Sequence, residues 1–205
     1  MTHPAGEKTD LRVMRTHIQL QKAFIELTVE KGFNAVTVSD ITERAMVNRS
    51  TFYRHFLDKY DMLDNYLNWV DENVAADDFL MDKNGSSGGK PSGLIRLLEH
   101  VQKFADFYRV MLGQNGDPVF TERFRQYSMK RYRFLLSNTE LNEPPDSPPV
   151  ELKLNYISCA GVGAIMWWLE NGQPCTVEQL AMWLSQLSMT SVGLPFPPPG
   201  SHKTG

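Results

Sequence analysis

Apolar residues recur along this chain with the period of an α-helix, and no stretch alternates with the period of a strand. Leu20, Ala23, Phe24 and Leu27 fall at i, i+3, i+4 and i+7, the spacing of one helical face. Gly32 ends that pattern, since glycine readily takes the left-handed backbone that closes a helix. Thr37-Val38-Ser39-Asp40 has the form of a capping box, in which a hydroxyl and a carboxylate three residues apart each satisfy the other's backbone N–H. It opens a helix with Val38, Ile41 and Ala45 inward. Asn48 is suited to cap a short helix holding Phe52 and Phe56. Asp58 to Asp61 repeats the acidic cap ahead of a longer helix that turns Leu63, Tyr66, Leu67 and Val70 inward.

A glycine- and serine-rich break, residues 84–93, divides the chain. It has the look of a phosphate loop around Lys90 but not its chemistry, because Asn84 and Pro91 stand where glycine and Ser or Thr are required. Beyond it, Leu94, Leu97, Leu98, Val101, Ala105 and Tyr108 trace one stripe. Phe104, Phe107 and Met111 widen that stripe, which predicts a single central helix buried on most sides. Phe120, Phe124 and Tyr127 begin another helix that ends before the proline-rich loop 144–149. Leu154, Ile157, Gly161, Ala164, Ile165 and Trp168 mark a long helix stopped by Asn171-Gly172, and Thr176 with Gln179 caps a last one through Val177, Leu180, Ala181 and Leu184. The pattern is all-α. The proline-rich tail 191–205 is expected to be disordered.

Charge first argues against nucleic acid. The 205 residues carry 21 Lys and Arg against 24 Asp and Glu, a formal net charge of -3, so a basic coat is excluded. Resolved by segment, residues 1–70 balance and the deficit lies in residues 71–90. Residues 44–59 hold Arg44, Arg49, Arg54 and Lys59 against Asp58 alone, a local excess of +3. That excess coincides with the two short capped helices. Two helices joined by a turn of about three residues have helix-turn-helix spacing, whose second helix enters a DNA major groove. Arg49 can reach a guanine edge or a phosphate, and Ser50 and Thr51 offer hydroxyls. Tyr53, Arg54, His55 and Lys59 add donors, while Phe52 and Phe56 hold the helix to its neighbours. Spacing alone leaves an ordinary three-helix cluster with a solvated polar face equally open.

The run Thr37-Val-Ser-Asp-Ile41, Asn48-Arg-Ser-Thr-Phe-Tyr-Arg-His-Phe56 and Asp58-Lys59-Tyr60 resembles the TetR (tetracycline-repressor) family, densely over residues 12–67. The resemblance implies a DNA-binding domain of three helices at residues 10–60 and a helical regulatory and dimerisation domain at 61–190. It also implies that Thr37 and Ser39 touch phosphates, that Arg49, Ser50, Thr51, Tyr53 and His55 sit at the groove, and that Lys59 binds the DNA backbone. Asn48 and Arg54 complete the expected set. Met46 stands where many members have glycine, and a left-handed backbone there would strain a methionine. Residues 156–161, 167–172 and 176–180 resemble a subgroup that includes dihydroxyacetone-kinase regulators. In the family the last two long helices, here near 150–171 and 177–190, pair across a two-fold axis. Ala160, Gly161, Gly163 and Ala164 suit such a close approach, or equally close packing within one protomer.

The implied protein is a dimeric transcriptional repressor on a palindromic double-stranded operator, modulated at the C-terminal domain by a small-molecule effector or a protein partner. Two alternatives stay open: an accessory coactivator acting through a protein partner, and a helical enzyme or ligand carrier. No cofactor is implied. His3, His17, His55, His100 and His202 are scattered, and Cys159 and Cys175 form no zinc spacing, so no metal site is expected. No serine, cysteine or carboxylate sits in a recognisable catalytic context, so no enzyme is expected. No apolar run is long enough for a bilayer, and residues 1–10 lack the apolar segment of a signal peptide, so a cytoplasmic protein without membrane contact is expected. The basic helix with Arg123, Arg125, Lys130, Arg131 and Arg133 reads as a solvated face, or as an anionic-effector pocket. The aromatic and methionine side chains of residues 94–136 suit a core or an apolar effector cavity. Trp167 and Trp168, being adjacent, should face different sides.

Overall fold

The computed structural model describes residues 5–74, 92–114, 116–137 and 146–191. Among these residues the chain is helical, with no strand: α1 (Ala5–Lys31), a 3-10 turn (Phe33–Ala35), α2 (Val38–Arg44), α3 (Arg49–Phe52), α4 (Lys59–Asn73), α5 (Ser92–Lys103), α6 (Ala105–Leu112), α7 (Pro118–Ser137), α8 (Val150–Glu170) and α9 (Val177–Ser191). The break expected at residues 84–93 lies outside the described residues up to Pro91, and α5 already starts at Ser92. The tail from residue 192 also lies outside them.

Two compact units divide the chain. The first takes residues 1–70 and 104–121, the second 71–103 and 122–205. In the first, the predicted stripe Leu20, Ala23, Phe24 and Leu27 is buried, as are Leu63, Tyr66, Leu67 and Val70 of α4. The centre is aromatic. Phe107 of α6 meets Phe24 edge-on at 6.0 Å, Tyr66 at 5.5 Å and Phe120 at 5.9 Å, and Phe24 meets Phe33 at 5.9 Å. Such edge-to-face pairs add specific geometry to the large area each ring removes from water. Burial also raises the Tyr66 and Tyr108 hydroxyls above the ordinary phenol range.

The long central helix predicted over residues 94–111 is not one helix. It breaks at Phe104, whose φ of -115° and ψ of 37° leave the helical region. Leu94, Leu97, Leu98 and Val101 are buried in the second unit, whereas Phe107, Tyr108 and Met111 are buried in the first. Unbroken i, i+3, i+4 spacing records only that each turn buries one face, and two short helices serving separate cores keep the same spacing as one long helix.

In the second unit α5, α7, α8 and α9 bury Leu98, Val101, Tyr132, Leu154, Ile157, Ile165, Trp168, Leu180 and Ala181. Polar ties fix the elements. The Trp168 indole N–H donates to the Cys175 carbonyl at 2.9 Å, and the Tyr132 and Ser188 hydroxyls share a hydrogen bond of 2.8 Å. The Thr176–Gln179 capping box forms as predicted, with Gln179 N–H on Thr176 Oγ1 at 3.2 Å and Thr176 N–H on Gln179 Oε1 at 3.0 Å. The basic helix is only partly solvated, with Lys130 and Arg133 exposed and Arg123, Arg125 and Arg131 half-buried. Arg125 bonds Glu122, Arg131 bonds Asp71, and Arg133 bonds Glu151, each within 2.9 Å. Trp168 is fully buried and Trp167 is 48% exposed, as adjacency on a helix requires.

Burial, reinforced by Lys103, lowers the His100 imidazole on α5 to about 4. Between that value and its ordinary 6.5 the unfolded chain binds a proton that the folded chain refuses, so stability falls as pH drops through this window. Chemical denaturation from pH 7 to pH 4 should show this loss, and H100Q should flatten it.

Candidate DNA-binding interface

The helix-turn-helix is built from elements too short to persist alone, seven residues for α2 and four for α3. The capping box of α2 forms in full. Asp40 N–H donates to Thr37 Oγ1 at 3.2 Å, and Thr37 returns its own N–H to Asp40 Oδ2 at 2.8 Å and its hydroxyl to the same oxygen at 2.6 Å. Lys31 closes on Asp40 at 2.7 Å. Together Lys31 and the Thr37 donors hold the Asp40 carboxyl well below the usual range, so this cap survives acidification that would protonate an ordinary aspartate. Ile41, Thr42 and Ala45 are buried and Val38 is half-buried. Thr42 is the unpredicted member: its hydroxyl turns back onto the Val38 and Ser39 carbonyls at 2.9 and 3.0 Å.

The turn Ala45-Met46-Val47 follows. Met46 takes φ +53° with 91% of its surface exposed, so its side chain gains little packing in return for the left-handed backbone. Asn48 then caps α3, its Oδ1 accepting from Ser50 N–H at 3.0 Å and the Ser50 hydroxyl at 3.1 Å. The α-helix proper stops at Phe52, and Phe56 lies beyond it. A helical turn carries the chain on, with His55 and Phe56 N–H both donating to Phe52 O at 2.8 and 2.9 Å. Phe52 and Phe56 are buried anchors with ring centroids 5.5 Å apart. The His17 ring packs 5.1 Å from Phe56, a half-buried edge position, and burial with the nearby His55 lowers its pKa.

The residues expected to face DNA divide into those left exposed and those already committed. Arg49, Ser50, Tyr53 (58%) and Arg54 are exposed, and Thr51 and His55 are half-buried. Arg54 donates to Thr51 Oγ1 at 2.8 Å, which steadies both. Thr37 is exposed beside half-buried Ser39 at the start of α2. Lys59 is different: its ammonium donates to the carbonyls of Phe33, Asn34 and Val36 at 3.0, 3.1 and 3.0 Å, which uses all three of its N–H bonds. The local charge excess is likewise smaller than the sequence count. Arg44 forks onto Glu30 with two bonds of 2.7 Å and reaches Glu26 at 3.6 Å. Of the four cations in residues 44–59, Arg49 and Arg54 remain on the exposed face. Arg44–Glu30 and Lys59–Val36 span 14 and 23 residues, a separation at which no local pattern announces a partner.

Comparison with known proteins agrees with this geometry. Residues 22–66 match the model described as bacterial regulatory proteins, tetR family, and residues 91–190 match a transcriptional regulator C-terminal region of the same family. An uncharacterised HTH-type regulator of Bacillus subtilis, YxbF, is 41% identical over 58 residues, which is 28% of this chain and 15% of that protein. The dhaKLM operon transcriptional activator DhaS of Lactococcus lactis is 25% identical over 128 residues, 62% of each protein. The chain therefore spans less than two-thirds of the length of these curated relatives. A TetR transcriptional regulator from Streptococcus agalactiae superposes with a TM-score of 0.64 at 24% identity over 89% of this chain and 98% of that one, a likeness of fold.

Relief of a left-handed backbone is worth about 1–2 kcal/mol, whereas glycine's extra freedom in the unfolded chain costs about 0.4–1 kcal/mol. M46G should therefore stabilise the protein by about 0.5–1 kcal/mol, measured as a rise in thermal midpoint, and T37A should destabilise it by about 1 kcal/mol through loss of the cap. With its two family models spanning most of the chain and a capped helix-turn-helix at the position they require, this protein belongs to the TetR family of bacterial transcriptional regulators.

Proposed function

We propose that this chain reads a palindromic operator as a homodimer, placing α3 of each protomer in successive major grooves. The observation that carries the reading is the division of α3 and its following turn. Phe52 and Phe56 are buried as anchors, while Arg49, Ser50, Tyr53 and Arg54 stand exposed together. Arg49 and Tyr53 are one helical turn apart and would meet base edges or phosphates. Thr51 and His55 would flank them, Asn48 would fix the start of the helix, and Thr37 and Ser39 would meet phosphates from α2. With so few cations on this face, affinity rests on placed contacts and on pairing two copies.

The second unit supports pairing. Leu152, Tyr156 and Trp167 of α8, and Trp183 and Leu187 of α9, are exposed apolar residues at helical spacing. Between Leu152 and Trp167 lie exposed Ala160 and Gly163 and half-buried Gly161 and Ala164, and a Cβ built on either glycine meets nothing within 4 Å. Small residues facing open space fit an approaching helix better than internal packing. A ligand or partner at this unit would switch the regulator only by binding one arrangement of the reading helices more tightly than the other. Repression is what the family resemblance implies. The name of DhaS favours activation instead, and a promoter fusion with the gene deleted would separate the two, expression rising for a repressor and falling for an activator.

Selection of bound duplexes from a random pool should enrich a palindrome, and a flat outcome would remove this reading. R49A and Y53A should each weaken binding to the enriched duplex by about tenfold or more with the fold intact. Glutamates at both Trp183 and Leu187 should yield a folded monomer in sedimentation velocity.

A further inference from the structure

Lys59 sits at the start of α4, where the family resemblance implies contact with the DNA backbone, yet its donors are spent inside the protein. Three carbonyls converge on Nζ, from Phe33, Asn34 and Val36, at 3.0–3.1 Å. The ammonium also lies 4.6 Å from the Phe33 ring centroid and 5.4 Å from that of Tyr60, within cation–π range. Desolvation lowers the pKa of the amine, opposed by the fields of Asp117 and Asp58. A phosphate approaching this group would have to displace one of its three charge-assisted hydrogen bonds to form its own.

The carbonyl of Val36 gives the cage its consequence. It belongs to the same peptide unit as the N–H of Thr37, and that N–H is held by Asp40 Oδ2 at 2.8 Å. One peptide plane is thus gripped at both ends, by Lys59 on its oxygen and by the α2 cap on its nitrogen. Gly32, just upstream, has φ +79° and ψ 148°, a backbone region that only glycine enters freely. We infer that Lys59 is a positioning residue for DNA binding: it sets the Val36–Thr37 peptide, and through it the placement of Thr37 and Ser39 on α2, without touching a phosphate itself. This rests on the DNA-reading function proposed above.

The test uses full-length protein and the duplex recovered by selection. K59R keeps the charge, and at a phosphate contact arginine would keep a charge-assisted bond to the anion. Its planar guanidinium cannot reproduce three bonds from one tetrahedral centre, so binding should weaken by about tenfold. The slope of log affinity against log salt should stay at the wild-type value, because no cation is withdrawn from a phosphate. K59M should behave alike, and in the double variant K59M/S39A the effect of S39A should largely vanish. In the free protein, amide exchange at residues 37–41 should quicken in both Lys59 variants, while the α4 and α6 amides keep their protection.

A slope reduced by about 0.9 in K59M would overturn the inference in favour of direct phosphate contact. Wild-type affinity in K59R, or strict additivity of K59M with S39A, would overturn it too. If K59M does not fold, K59R and its exchange pattern decide. A wild-type protein whose binding ignores salt would instead sink the DNA-reading function, and the exchange measurement would still show whether Lys59 holds α2.

Discussion

A helix of four residues cannot hold itself together in water, and that constraint organises the N-terminal unit. The cost of nucleating the first turn is not recovered within α3, so its shape is imposed from outside. Asn48 satisfies the free N–H of Ser50, the rings of Phe52 and Phe56 sink beneath the helix, and the turn before it is forced through a left-handed Met46. α2, itself only seven residues, is held by its cap, by Lys31 on Asp40 and by the Arg44 fork onto Glu30 of α1. α1 is the long element against which these short ones are set, and it is fixed in turn by the rings of Phe107 and Phe33 on Phe24.

Charge follows the same logic. The sequence count put a local excess of +3 on residues 44–59, but two of its four cations are turned to architecture. Arg44 ties α2 to α1, and Lys59 cages the turn that leads into α2. In the second unit Arg125, Arg131 and Arg133 are paired as well. The solvent-facing pairs among these add little stability. Their larger effect is geometric, since a forked guanidinium accepts few orientations of its partner. The proposed binding face, with two remaining cations, gains less from the general attraction of basic surfaces for any duplex, which suits discrimination between sequences.

The parts legible in the sequence were those whose cause is local. Both complete capping boxes, the Asn48 cap, the buried stripes of α1 and α4 and the opposite fates of Trp167 and Trp168 depend on residues within four positions of one another. Asp58 and Asp61 show where locality frays. Asp58 caps the amides of Tyr60 and Asp61 as expected, but Asp61 bonds back to Leu57, one residue beyond the box. What could not be read was decided by distant partners. The break at Phe104 has no glycine or proline to mark it, and it exists because the two halves of one apolar stripe are claimed by different cores. Lys59 looks in sequence like any exposed cation at the start of a helix. Only the fold brings three carbonyls from 23 to 26 residues upstream onto it.

The placement of α6 bears on how such a protein could diversify. Because residues 104–121 belong to the same compact unit as residues 1–70, the chain leaves and re-enters that unit in the course of its length. Phe107 fills the space between Phe24 and Tyr66 from far along the sequence. A recombination event that joined the first seventy residues to a foreign partner would leave those rings without their mate. The DNA-reading head is therefore not a cassette with its boundary at one point in the gene, and an exchange that keeps it intact must carry a second, distant segment with it.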